Sequence, residues 1–356
     1  MASAGHDIYF LRLVKDAAFG DDRPLPDRVQ PVDAGFTGRP PGQGNLLTWM
    51  PAVARVLNDV QPRLVQAGPI QSCAFLTALS GFRPLISMSW GSDLLVEAEA
   101  DELALWATRY TLDRSARVVT DCAEVSDRVF RYSSLRRDSI IQFPWGVDLD
   151  IFRPEGRRHP IREAWSDAFI VLSVRAWEPS YGVLTLLDGF RRARARNPRL
   201  KLVLLGDGTL GPQVRAFIAE HGLDSDIHAP GFSPYSDLPG YFRAADVYIS
   251  CSKSDGSSVS LIEALATGLP AIVTDRPSNR EWVTPDENGW VVPFSNVVAV
   301  SNALLNAASL APEAHQAMRI SNRRLAERRA DWTFNFGKLE AVFNSFDEQR
   351  VRSSIL

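Results

Sequence analysis

Two carboxylates arranged around the start of a helix are the pattern in this chain best suited to chemistry. In "SKSDGSSVSLIEALATGLPAIVTDRPSNREWV", Ser252 to Val283, Asp255 precedes a run of helical periodicity and Glu263 lies inside it. Ser257 or Ser258 is the expected N-cap, Gly268 stands where a helix-ending glycine belongs, and Pro270 opens the next strand. The amino end of a helix presents unpaired N–H groups and partial positive charge, which suit a diphosphate. Acids on either side can accept hydrogen bonds from the hydroxyls of a sugar and of a ribose. One short element could then grip a nucleotide sugar at both extremities. The competing reading makes Glu263 an exposed helix residue and Asp255 a turn former.

A second pattern is "LVLLGDGTLG", Leu202 to Gly211, an apolar strand ending in glycines spaced G-x-G-x-x-G at Gly206, Gly208 and Gly211. A nicotinamide-binding loop needs these glycines in the first strand-to-helix turn and an acid at the end of the following strand. Here the following strand, near "DIHAPGF", ends at Gly231 and Phe232, while Asp224 and Asp226 precede it. The dehydrogenase reading fails. Two readings stay open: a tight turn into the helix "PQVRAFIAE", or a loop that lets a phosphate or sugar approach backbone amides.

The elements that must position these residues alternate along the chain. "RLVQAG", "PLISMSW", "ARVVTD", "FIVLSVR", "KLVLLG", "DVYISCS", "PAIVTD" and "GWVVPF" are short and apolar on both faces, with helical stretches between them. Such runs predict parallel strands covered on two sides, a doubly wound α/β architecture. Periodicity breaks once, at "FRPEGRRHPIREAWSD", Phe152 to Asp167. The expected organisation is therefore a first domain at 1–152, a linker at 153–167, a second domain at 168–335, and a final helix at 336–356 packing back on the first domain. The chain opens as "MASAGHDIYFLRL", read as a helix tail, a turn at Gly5 and a strand, so a first βα unit is expected to be missing.

Composition narrows the class. With 356 residues, 45% hydrophobic and 23% charged, the chain reads as an ordinary globular protein of two domains. A formal net charge of −3 gives no expectation of nucleic acid. The basic run "RISNRRLAERR" reads as one solvated helix face. The three cysteines, Cys73, Cys122 and Cys251, stand far apart in apolar surroundings and fit a reducing compartment. No apolar run approaches the roughly 18 residues of a membrane helix, so the expected location is cytoplasmic, with peripheral membrane contact left open. No metal is expected: the histidines show no ligand spacing, and "DLD", Asp148 to Asp150, reads as a turn. No G-x-S-x-G elbow occurs, and carboxylates around a phosphate-attracting helix end argue against a glycosidase.

The segment around Asp255 resembles the donor-binding segment of family 4 retaining glycosyltransferases of the GT-B fold, where two acids are separated by seven residues, as Asp255 and Glu263 are. "FPWGVDLDIFRP", "AADVYISCSKSDG" and "ENGWVVP" resemble further family segments, so the likeness spans most of the chain. It implies two Rossmann-like domains facing a cleft. It also implies roles: Glu263 on the donor ribose, Asp255 on the hydroxyls of the transferred sugar, and the amides of Gly256, Ser257, Ser258 and Val259 on sugar and phosphate. Arg175 matches the arginine that neutralises the leaving diphosphate, and Gly231 and Phe232 would lie near the base. The family usually has glutamate at the place of Asp255. Where it usually has a phosphate-binding lysine, "RAWEPSYG" offers Tyr181, which donates a hydrogen bond but carries no charge. On the acceptor side Trp90 and Gln66 replace histidines common in relatives, which leaves Trp90, Ser92 and Asp93 as candidates.

The function implied is transfer of a sugar from a UDP- or GDP-linked donor to an acceptor sugar, lipid or small molecule, with retention, without metal and with no cofactor. A nucleotide-sugar-binding protein of weak activity and a nucleotide-sugar epimerase of the same plan are the alternatives. Turnover separates the first, and product mass the second.

Overall fold

The computed structural model describes residues 5–14, 25–36 and 43–353. The chain folds as two units, one of residues 1–143 with 336–356, the other of residues 144–335.

In the first unit, β1 (Ile8–Val14) pairs in parallel with β2 (Val29–Phe36). A separate parallel sheet runs in chain order through β3 (Val65–Ala67), β4 (Leu85–Met88), β5 (Arg117–Thr120) and β6 (Ile140–Gln142). The expected helix tail at the start and the crossover between β1 and β2 fall on residues 1–4 and 15–24, outside the described residues. So does the expectation of a missing first βα unit. Residues 336–353 continue the helix Trp332–Ser353, and within the unit His6 faces Phe343 at 6.3 Å between ring centroids.

The second unit is one six-stranded parallel sheet. Its strands are β7 (Phe169–Ser173), β8 (Leu200–Leu205), β9 (Ile227–Gly231), β10 (Val247–Ser250), β11 (Ala271–Thr274) and β12 (Gly289–Val292). Alternate side chains of a strand point to opposite faces, and here each face has its own core. Val171, Leu202 and Leu204 join Leu186, Phe190 and Leu304 on one side, while Ile170, Leu172, Val203 and Leu205 join Phe242, Ile262 and Leu265 on the other. Residues 153–167, read from sequence as a linker, pack into this unit. The reason is Arg162, whose Nε donates to Ala244 O at 2.8 Å and whose Nη2 pairs with Asp246 at 2.6 Å. Among the described residues no helix is long and apolar enough to cross a membrane.

Strand order decides where a ligand can enter. The sheet reads β12-β11-β10-β7-β8-β9, so the chain winds one way from β7 to β9, then returns and winds the other way from β10. Loops leaving the carboxyl ends of β7 and β10 therefore diverge, and such a switch point is where open α/β sheets bind ligands.

Candidate functional site

The loop after β10 and the helix Val259–Ala266 form one wall of this switch point. The helix ends as its sequence requires: Gly268 adopts φ +79°, its N–H donates to Leu265 O at 2.9 Å, and Leu269 N donates to Ala264 O at 2.8 Å. This paired closure is a Schellman motif, in which glycine avoids the Cβ penalty of the left-handed region. At the other end Ser258 occupies the N-cap position, yet its hydroxyl makes no cap bond. It accepts from Arg175 Nη1 at 2.8 Å instead. The serine that sequence patterning assigns to capping is diverted to the arginine.

Arg175, just beyond β7, is the centre of the cluster. Its Nη2 lies 2.5 Å from Asp255 Oδ1, and its Nη1 also reaches Ser260 Oγ at 3.2 Å. The guanidinium carbon stands 4.3 Å from the centre of the Tyr181 ring. Ser260 is joined in turn to the phenol of Tyr248 at 2.7 Å. Burial alone would lower the arginine's pKa, but the adjacent Asp255 carboxylate, together with Tyr248 and Tyr181, outweighs it, so the net shift is upward and the guanidinium stays charged. Burial pushes the Tyr248 phenol above its usual range, so it serves as a neutral hydroxyl. Two buried atoms in this cluster have no hydrogen-bond partner, Arg175 Nε and Asp255 Oδ2. One is a donor and the other an acceptor.

Glu263 lies five residues past the N-cap and is buried, 6% exposed, so the reading of it as an exposed helix residue is overturned. Gly256, Ser257 and Ser258 are buried, whereas Val259 is exposed at the helix start. Gly231, at φ +92°, ends β9, and Gly206 N donates to its carbonyl at 2.9 Å. Phe232 follows with 72% of its surface in solvent. All these residues lie on loops at the carboxyl edge of the same sheet or on the helix that follows. Asp255, Ser258 and Tyr181 touch Arg175 directly.

The glycine pattern acts as a close-packed turn. Gly206 has φ +110°, and a Cβ there would lie 2.6 Å from Arg175 O; one on Gly208 would lie 2.6 Å from Trp177 O. Bulk is excluded because the glycine loop lies flat against the loop that carries Arg175.

In the first unit, Trp90 is 58% exposed on the loop after β4. Ser92 Oγ donates to Glu97 at 3.1 Å. Asp93 is buried and fully engaged: Oδ1 accepts from Ser89 Oγ at 2.6 Å, Trp90 N at 3.1 Å and Leu94 N at 3.0 Å, and Oδ2 accepts from Ile70 N at 3.0 Å. It shapes the loop that presents Trp90. Asp148, part of the "DLD" turn, accepts from Asp150 N at 2.9 Å and Ile151 N at 3.0 Å.

Sequence reasoning missed Tyr248, Ser260 and Ser278, whose hydroxyl donates to Asp255 O at 2.7 Å. The serine-rich run "GSSVS" was a signal for Ser260; nothing local marks the other two.

Residues 157–324, within the second unit, match the family described as Glycosyl transferases group 1. Among curated relatives, the amylovoran biosynthesis glycosyltransferase AmsK of Erwinia amylovora is 25% identical over 158 residues, 43% of this chain and 39% of that one. The chain spans less than half the length of such relatives, 39–46% for three of them. Two solved structures share the fold across nearly the whole chain. Sucrose-phosphate synthase from Thermosynechococcus elongatus aligns with TM-score 0.81 at 18% identity, covering 98% of this chain and 91% of that one. Anabaena HepE in complex with UDP and glucose aligns with TM-score 0.77 at 17% identity, covering 95% and 99%. The fold is GT-B, built of parallel α/β units.

Proposed function

We propose that this protein is a glycosyltransferase that takes a UDP-linked sugar, holds its diphosphate at the amino end of the helix Val259–Ala266 and transfers the sugar to an acceptor. The observation that carries this is the convergence of Arg175, the Asp255 loop and that helix at the switch point of a group 1 domain. HepE, a fold relative, is solved in complex with UDP and glucose, which favours uridine over guanosine.

In this reading the bond between the anomeric carbon and the diphosphate oxygen breaks as positive charge grows on the sugar. Arg175 and the oriented N–H groups stabilise the departing charge, and fixed charges need no reorganisation as the reaction proceeds. Tyr181 donates a hydrogen bond where a second cation would otherwise stand. Glu263 holds the ribose, Asp255 Oδ2 accepts from a sugar hydroxyl, and Gly231 and Phe232 border the base. Trp90, with Ser92 and Asp93 behind it, belongs to the acceptor. The transfer is retaining, family 4 in type, metal-independent and cytoplasmic.

Thermal shift with UDP and UDP-glucose tests this directly, because a ligand binding only the native state raises its melting temperature. A rise in the wild type that Glu263→Ala abolishes supports the reading; full donor affinity in that variant removes Glu263 from the ribose. A binding protein of weak activity is the second reading. It is favoured by one fact: Arg175 already spends its charge on Asp255. Binding of UDP-glucose without release of UDP or glucose would establish it.

A further inference from the structure

We propose that Glu178 is a positioning residue that acts on the donor diphosphate through Arg175, with Thr209 as its partner. The proposal rests on the glycosyltransferase reading and adds to it the residue that fixes its arginine.

Arg175 is carried by a loop, residues 174–182, between β7 and the helix Val183–Arg196. A loop placing a charge within reach of a diphosphate must be held from more than one side. Here one side is the donor loop: Lys253 N donates to Ser180 O at 2.7 Å, and Gly182 at φ +64° lies so close that a Cβ would stand 2.3 Å from Cys251 O. The other side is the glycine loop. Trp177 N donates to Asp207 O at 3.0 Å and Leu210 N to Trp177 O at 2.9 Å.

Between those two backbone bonds sits one side-chain tie. Thr209 N donates to Glu178 Oε1 at 2.8 Å, and the Thr209 hydroxyl donates to Glu178 Oε2. A Cβ on Gly208 would lie 2.6 Å from Glu178 Oε1 and 2.6 Å from the backbone oxygen of Trp177, and the second of these cannot move aside. Glu178 makes no ion pair among the described residues, so its carboxylate is spent on Thr209 alone. The tie is three residues from Arg175 and spans the two loops that Gly206 and Gly208 bring together. Loss of the tie loosens the arginine loop on that side, where the two backbone bonds then hold it alone, while leaving both sheet strands intact.

The test is UDP affinity by calorimetry on the full chain. Glu178→Ala, which removes both bonds, is expected to weaken UDP about tenfold, and Thr209→Val, which keeps the bond from the backbone N–H, about fivefold, because small displacements of a positioned group are costly. Thr209→Ser restores affinity to within about twofold. In an Arg175→Gln background, Glu178→Ala changes UDP affinity by less than about twofold, since the residue it acts through is gone. Should Glu178→Ala fail to fold, Thr209→Val carries the same comparison. Unchanged UDP affinity in Thr209→Val, or an equal loss with and without Arg175, overturns the positioning role. A wild-type chain that does not bind UDP overturns the donor reading and this proposal together, an outcome distinct from the first two.

Discussion

Asp255 Oδ1 sits 2.5 Å from Arg175 Nη2, with the two side chains only 11% and 13% exposed. A pair so enclosed is costly to break from one side, because the remaining charge is left buried without its partner. Each member also keeps one unsatisfied atom, so the pair is complete in charge and incomplete in hydrogen bonds. On the proposed donor reading, an incoming diphosphate would compete with Asp255 for the arginine.

Asp255→Asn tests that competition. The variant is expected to lose about 3 kcal/mol of stability, since Arg175 is left without a counter-charge. UDP should stabilise it more than it stabilises the wild type, because the diphosphate now supplies the missing charge, while sugar transfer falls. Urea melts with and without UDP check this; equal UDP stabilisation of both proteins refutes the competition.

Gly206 and Gly222 both have positive φ, at +110° and +60°, but only Gly206 is crowded. Gly222→Ala should cost about 1 kcal/mol, the left-handed penalty alone. Gly206→Ala adds a Cβ 2.6 Å from Arg175 O and should cost over about 2 kcal/mol, with loss of UDP binding. Denaturant midpoints of the two variants make the comparison.

In the first unit the contrast is between Trp90 and Asp93. Asp93→Ala strands four donors in a buried loop and should cost about 3 kcal/mol, whereas Trp90→Ala, at an exposed ring, should change stability by less than about 1 kcal/mol. Thermal unfolding distinguishes them. A near-neutral Asp93→Ala would show that the loop does not depend on it.

His159 stacks on Tyr241 at 3.8 Å, and Tyr241 OH lies 3.2 Å from His228 Nε2. Burial lowers the pKa of both histidines, opposed at His159 by Asp237 and reinforced at His228 by His159. The folded state thus binds fewer protons than the unfolded state just below the unperturbed value of 6.5. Their contribution to stability is present above that pH and is lost as pH falls through the lowered folded values. Melting temperature should decline on acidification from pH 7 to 5, and His228→Gln should flatten the decline. An unchanged slope in that variant would assign the acid sensitivity to other groups.

Most of the strands were legible because burial on both faces leaves a continuous apolar run. All eight apolar runs are strands, as are the segments at "IYFLRL" and "DIHAPGF". Two were not read. β2 contains Pro31, Asp33 and Gly35, residues that weaken a strand pattern, and β6 is three residues of partial burial. At the site, Asp255 and the helix end were visible because spacing along one short segment fixes them. The burial of Glu263, the diversion of Ser258 to Arg175 and the engagement of Asp93 were not. Ser258 depends on Arg175, 83 residues away, and Asp93 in part on Ile70, 23 residues away, partners that only tertiary packing supplies.

Strand order has one more consequence. A cut in the exposed turn at Gly222 would leave β7 and β8 on one fragment and β9 to β12 on the other. The first fragment's two strands would then be flanked by the second's on both edges, β10 against β7 and β9 against β8. Two such pieces, made separately, can rebuild the sheet only by interleaving, so complementation between them would be all or nothing.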